Sequence, residues 1–283
     1  MDCLVFGWGE TTGLRRGEGG IVMDALTILV LFLVGVVAGG LGGLLGIGGC
    51  VLMMPTVRFG FAFSPAMAVG TTLTAVVFTA GAGAIKHARL GNVDKAAAKV
   101  IALSGVVGVL IGSAVFTAIA SYDRIVDLVV GIAFLYPAAR MFWEGLWQWR
   151  APEPKEAAVG GSPTAKGLTG GLVGLLTGII GLGGGYVLVP SLVYVLKAPM
   201  KIAIGTSLAS FVWFALVGAV VKLYEGFVSL PAAVAMGLGA ALGAVLGAMI
   251  MTKVKTAALK VLFGLIFLYV GLKYVFVAFG VQI

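Results

Sequence analysis

The chain has 283 residues, 60% of them hydrophobic and only 11% charged, with a mean hydropathy of +1.13 and a formal charge of +8. An ordinary soluble domain carries about 25% charged residues, so the soluble globular class is excluded. Between Asp24 and Lys86 the sole charge is Arg58, which leaves 61 intervening residues with one charge, where a single bilayer crossing takes about 20. The chain is therefore polytopic, with the lipid bilayer as its first partner. The basic balance reads as the cationic bias of cytoplasmic loops; no motif interleaves these charges with aromatics, so nucleic acid is not an expected partner.

Residues 1–24 form a polar, glycine-containing tail, with no signal peptide expected. A first transmembrane repeat covers 25–149, with apolar runs from Ala25 to about Gly46, at Val51–Phe63, and at 66–85, 100–119 and 125–147. Residues 150–166, rich in proline, glycine and charge, read as a cytoplasmic linker. The second transmembrane repeat, 167–283, follows the same order, at 167–181, 186–196, 202–221, 228–251 and 257–279.

The halves repeat at a spacing of 135 residues. Leu41–Pro55 (LGGLLGIGGCVLMMP) returns as Leu176–Pro190 (LTGIIGLGGGYVLVP), and Ala68–Leu73 (AVGTTL) as Ala203–Leu208 (AIGTSL). Across 39–74 and 174–209, 11 of 36 positions are identical without a gap. A fixed-period repeat means one unit used twice.

Residues 25–63 are too long for one crossing and slightly short for two, so four or five segments per half are both open, with a broken or re-entrant element at Gly46–Cys50. Five crossings with the N-terminus outside put 13 of the 19 Lys and Arg on the cytoplasmic side. Four crossings reverse the bias within the second half, leaving Lys197, Lys201, Lys253, Lys255 and Lys260 outside. An odd number repairs this and makes the repeats inverted. The expected fold is an all-α polytopic membrane protein of two homologous, inverted repeats of four to five transmembrane segments.

Gly35, Gly39 and Gly43, like Gly243 and Gly247, have the small-xxx-small spacing of packed membrane helices. Gly46, Gly48 and Gly49, and Gly181, Gly183, Gly184 and Gly185, are denser and unwind a helix. Each cluster precedes a short apolar element with Pro55 or Pro190 at the same offset, the pattern of a discontinuous helix in corresponding places of two halves. A half-helix start presents free N–H groups and a positive dipole end, so two of them could hold an anion without a buried cation. Thr71, Thr72, Thr206 and Ser207, behind Gly70 and Gly205, would add hydroxyls or act as caps. Cys50 stands where the other half has Gly185, as a small filler or as a thiol meeting the substrate.

Enzyme readings are weak: no acidic residue or βαβ context follows the glycines, and the single histidine, His87, lies in a basic stretch, Lys86–Arg89, that reads as a topology anchor able to sense pH. No catalytic residues, metal ligands or cofactors are expected, and Cys3 and Cys50 have neither ligand spacing nor a disulfide role. Asp127, Glu144 and Glu225 fall near predicted helix ends, so a coupling proton has no evident relay and could travel on the substrate.

On Gly46-Ile47-Gly48-Gly49 with Pro55 and Gly70-Thr71-Thr72, and Gly181-Leu182-Gly183-Gly184-Gly185 with Pro190 and Gly205-Thr206-Ser207, the chain resembles the TauE/SafE sulfite exporter family from Ala25 to its C-terminus. The resemblance implies a prokaryotic inner-membrane secondary transporter, most often an exporter, of sulfite, an organosulfonate or another small sulfur-containing anion. Cys50 departs from the third loop glycine. A passive anion channel and a non-transporting scaffold share these residues, and oligomeric state is not legible from them.

Overall fold

A computed structural model describes residues 16–17, 20–21, 24–119, 122–147, 158–180 and 184–280. Apart from a two-residue antiparallel pairing of Arg16–Gly17 with Gly20–Ile21, the described chain is helical. The first half holds α1 (Ala25–Leu45), α2 (Cys50–Pro55) running into a π-helical turn (Thr56–Gly60), α3 (Pro65–Arg89), α4 (Lys95–Ile119) and α5 (Asp123–Trp147). The second holds α6 (Pro163–Ile180), α7 (Gly185–Tyr194), α8 (Met200–Tyr224), α9 (Leu230–Met251) and α10 (Thr256–Ala278). Six of these are long and apolar enough to cross a bilayer. Leu26, Leu29, Leu33 and Val37 of α1 are exposed, as expected of a helix that meets lipid, where apolar surface has no reason to hide.

Local chemistry sets the helix starts. Asp24, Asp94 and Ser162 each accept the amide three residues on, from Thr27, Ala97 and Ala165. Ser64 does the same for Met67, with Pro65 at the first helical position, where a missing N–H costs nothing. α6 begins at Pro163, inside the stretch read as linker.

Packing directions follow from where glycines let backbones meet. Gly35, Gly39 and Gly43 of α1 lie against Met236, Ala240 and Ala244 of α9. Both series rise together, so α1 and α9 run parallel. Gly170, Gly174 and Gly178 of α6 lie against Ile101, Gly105 and Val109 of α4, again in parallel. Gly131 and Gly145 of α5 meet Val275 and Val261 of α10, a descending series, so that pair is antiparallel. At the centre, Gly83 of α3 approaches Leu208 of α8 while Gly218 of α8 approaches Leu73, also antiparallel. α3 runs parallel to α9, with Phe78 at Gly237 and Gly83 near Ala244.

Since α1 and α3 both run with α9, the chain must return between them. α2 and the π-helical turn do this, in 11 residues. At about 1.5 Å per residue they advance some 16 Å, half a bilayer, and the segment 61–64 completes the return. The α3–α4 loop, the linker end and the α7–α8 loop share one end of the bundle: the Val159 amide donates to Asp94 Oδ2 at 2.9 Å, and Gly160 packs on the Leu196 carbonyl. We call this the linker end.

Candidate functional site

The start of α7 meets the first glycine loop. A Cβ on Gly185 would lie 2.5 Å from both Gly46 O and Ile47 Cα, so the start of α7 rests on the backbone of the first loop. Gly48 is pressed between Val76 and Phe211, which occupy the middles of α3 and α8 and stand 135 positions apart. The meeting point is therefore at mid-depth, on the central antiparallel pair.

α1 ends because Gly46, Gly48 and Gly49 adopt φ of 77°, 73° and 81°, left-handed values that only glycine takes cheaply. The amides of Gly46 and Ile47 turn back to Gly42 O, and those of Leu52 and Met53 to Gly49 O. In the other half the amides of Val187 and Leu188 turn to Gly184 O, the same two bonds one repeat later. Among the backbone bonds of the described residues, the amides of Gly48 to Val51 make none. Gly181 and Gly183 lie outside the described residues; Gly184 packs on Phe214, Val173 and Thr177. Cys50 is buried and its thiol donates to Ile47 O at 3.3 Å, closing the turn that precedes it. Pro55 and Pro190 sit inside α2 and α7.

The four hydroxyls divide by register. Thr71 Oγ1 accepts the Ser229 amide at 2.9 Å and Thr206 Oγ1 accepts the Asp94 amide at 3.0 Å. Each therefore ties its helix to the N-cap residue of the other half, and each keeps its own hydrogen to give. The glycine before each threonine allows the approach: Gly70 meets the Phe227 carbonyl and Gly205 the Asn92 carbonyl, too close for any Cβ. One residue on, Ser207 donates to Gly46 O at 3.0 Å, while Thr72 Oγ1 is buried with no partner among the described residues.

The sequence reading places neither of two buried ionisable side chains at the site: His87 reads as a topology anchor able to sense pH, and Lys222 carries no motif. His87 and Lys222 are fully buried, at the last turns of α3 and α8. They are 135 positions apart, which is the signal that would have paired them. His87 Nε2 donates to Gly43 O at 2.8 Å. Lys222 Nζ lies 2.9 Å from Glu225 Oε2 and 3.6 Å from the centre of the Phe116 ring, and Glu225 Oε1 accepts from Thr117. No group of three metal-binding side chains occurs among the described residues.

The family model "Sulfite exporter TauE/SafE" matches residues 31–274, from within α1 to within α10, which takes in both glycine clusters. The chain belongs to this family. Among its relatives, a probable membrane transporter protein of Bacillus subtilis, YunE, is 24% identical over 274 residues, covering 89% of this chain and 98% of its own. A probable membrane transporter protein of Xylella fastidiosa is 30% identical over 176 residues, 62% of this chain and 66% of its own. One of Methanocaldococcus jannaschii, MJ0441, is 29% identical over 227 residues, 75% and 82% of the two chains. No solved structure matches significantly. The TauE/SafE chain described here is thus a multi-pass membrane transporter, and its helices carry the surface that role needs.

Proposed function

We propose that this member of the family is a secondary transporter, exporting a small sulfur-containing anion such as sulfite or an organosulfonate across a prokaryotic inner membrane. The observation that carries the reading is the meeting of the first glycine loop with the start of α7, at the middles of α3 and α8. The amides of Gly48 to Val51 at the start of α2, which make no backbone bond among the described residues, and the buried, unpartnered hydroxyl of Thr72 would give the oxygens of an anion donors in place of water. Thr71, Thr206 and Ser207 hold the frame around them.

The two halves then act as inverted copies of five segments each, consistent with equivalent helices packing in opposite senses. Alternating access needs one end of the central pair to part while the other holds. Each end has its own fastening, Thr71 to Ser229 at one and Thr206 to Asp94 at the other, so either can open alone.

The test combines binding and flux. Thermal unfolding of the purified protein in detergent is followed against sulfite, thiosulfate, sulfate, sulfoacetate, taurine and chloride at constant ionic strength. A ligand that binds only the folded state raises its stability by mass action. A saturable shift with a sulfur anion is expected, together with counterflow of that anion in proteoliposomes. Gly48→Ala, whose added methyl pushes on Val76 and Phe211 in the middle of the membrane, is expected to insert and to lose counterflow. Wild-type counterflow in Gly48→Ala would remove the loops from the pathway.

A further inference from the structure

We propose that His87 is the proton-binding site of the transport cycle and that its cation takes the transported anion as counterion. The inference rests on the transport reading above and adds the coupling ion to it.

The bond to Gly43 O settles which nitrogen carries hydrogen. A carbonyl oxygen can only accept, so Nε2 is protonated and Nδ1 of the neutral ring presents a lone pair. That nitrogen is buried with no partner among the described residues. A buried polar atom left unpaired is a rarity that calls for a cause. Here the cause is a place for a proton.

The other half supplies the comparison. For Lys222, the residue 135 positions on, the chain provides a carboxylate, Glu225 three residues later, and the Phe116 ring. The positions 135 residues from these are Leu90, for Glu225, and Met251 at the end of α9, for Phe116. His87 thus has the burial of Lys222 with neither the carboxylate nor the ring. The charged residues on the elements packed around it are mostly cations: Lys86 and Arg89 on its own helix, Lys201 at the start of α8, Lys95 at the start of α4, and Lys253 and Lys255 beyond α9. α1 brings none from Ala25 to Leu45, and Glu144 of α5 is engaged by Lys260. Of the other titratable groups, the Asp94 carboxylate is taken by the Ala97 and Val159 amides and the Cys50 thiol by Ile47 O.

A buried cation without a partner is costly. A charged His87 therefore needs an anion from outside the chain, and Gly43, its hydrogen-bond partner, is three residues from the first glycine of the loop. The anion and the proton favour one another's binding by the same factor, as linkage requires. Each anion crosses with about one proton. No bond is made or broken beyond the proton's transfer to Nδ1 and its release on the far side.

The experiment measures proton uptake from weakly buffered solution when thiosulfate, which does not titrate near neutral pH, is added to the purified protein. Sulfite serves as a second probe, and the thermal shift is read in the same samples. The expected result is a thermal shift with uptake of about one proton per thiosulfate bound. His87→Gln retains an N–H for Gly43 O and cannot titrate; it should weaken the shift, as loss of the counterion requires, and at thiosulfate concentrations that restore binding it should still lose both uptake and flux driven by a pH gradient. A shift without uptake in the wild type, or uptake that survives in His87→Gln, overturns the proposal. Should His87→Gln not fold, Leu90→Glu decides: it gives His87 the carboxylate that Lys222 has, fills the proton site before the anion arrives, and should abolish uptake. Undiminished uptake in Leu90→Glu overturns the proposal. Absence of any shift with either probe in the wild type overturns the transport reading, and this inference with it.

Discussion

Asp94 is the residue on which the linker end turns. Its Oδ1 caps α4, its Oδ2 holds the linker through Val159, and its amide is held by Thr206. Burial pushes its carboxyl up, but the amide bonds from Ala97 and Val159 and the charge of Lys166 together bring it below the ordinary carboxylate value. A carboxyl lowered by folding contributes stability above the unfolded-state value of about 3.9, and that contribution fades as pH falls through the lower folded-state value. Asp94→Ala should therefore lower stability by about 1 kcal/mol at neutral pH, the usual worth of such a cap. The gap to wild type should close in acid. Thermal unfolding in detergent across a pH series checks this, and a gap that stayed constant into acid would mean the carboxylate's charge plays no part.

At the scale of the helix, the small residues do two jobs that the sequence separates only in part. The stripe on α1 is a packing seam, and the structure says which of its members carry it. Gly39 and Gly43 rest directly on the backbone of α9, whereas Gly40, between them on the same helix, has only the Gly243 carbonyl at 3.8 Å. Gly40→Ala should then be neutral or slightly stabilising, since alanine is the better helix former by up to about 1 kcal/mol. Gly39→Ala and Gly43→Ala should force α1 away from α9 and cost several times that, in the range of overpacked sites, about 1–3 kcal/mol or more. Detergent extraction followed by size-exclusion chromatography separates the outcomes, and equal behaviour of Gly39→Ala and Gly40→Ala would refute the seam. Gly46, Gly48 and Gly49 were legible from their density and from the proline that follows, because positive φ restricts residue choice and leaves a mark in sequence, whereas Gly184, expected to unwind the chain in the same way, has a φ of −54° and directly precedes α7. The roles of Thr71 and Thr206 were not legible, since their partners, Ser229 and Asp94, are 158 and 112 positions away. Only the fold brings an acceptor to each amide.

At the scale of the whole molecule, the question the sequence left open was whether each half has four or five segments. Hydropathy could not decide it because α2 and its π-helical turn are half the length of a crossing, and total loop charge barely differed between the two arrangements. We propose five, on the parallel packing of α1, α3 and α9, because direction is a property that composition does not encode. Five segments per half put the linker, the α7–α8 loop and the α9–α10 turn on one face, with Tyr122 and Tyr224 on the other. Four segments would instead place Tyr224 beside the linker and Lys253 across from it. Single cysteines distinguish these in a background lacking Cys3 and Cys50, using a membrane-impermeant maleimide on intact cells and on inverted vesicles. Ser162→Cys and Lys253→Cys should label only in inverted vesicles, because the face they share carries most of the Lys and Arg and so lies in the cytoplasm. Tyr122→Cys and Tyr224→Cys, at positions 60% and 93% exposed, should label on intact cells. Labelling of Ser162→Cys and Tyr224→Cys from the same side would break the inversion. The fastenings at the two ends of α3 and α8 would then face one compartment, and no alternation between them could move an anion across.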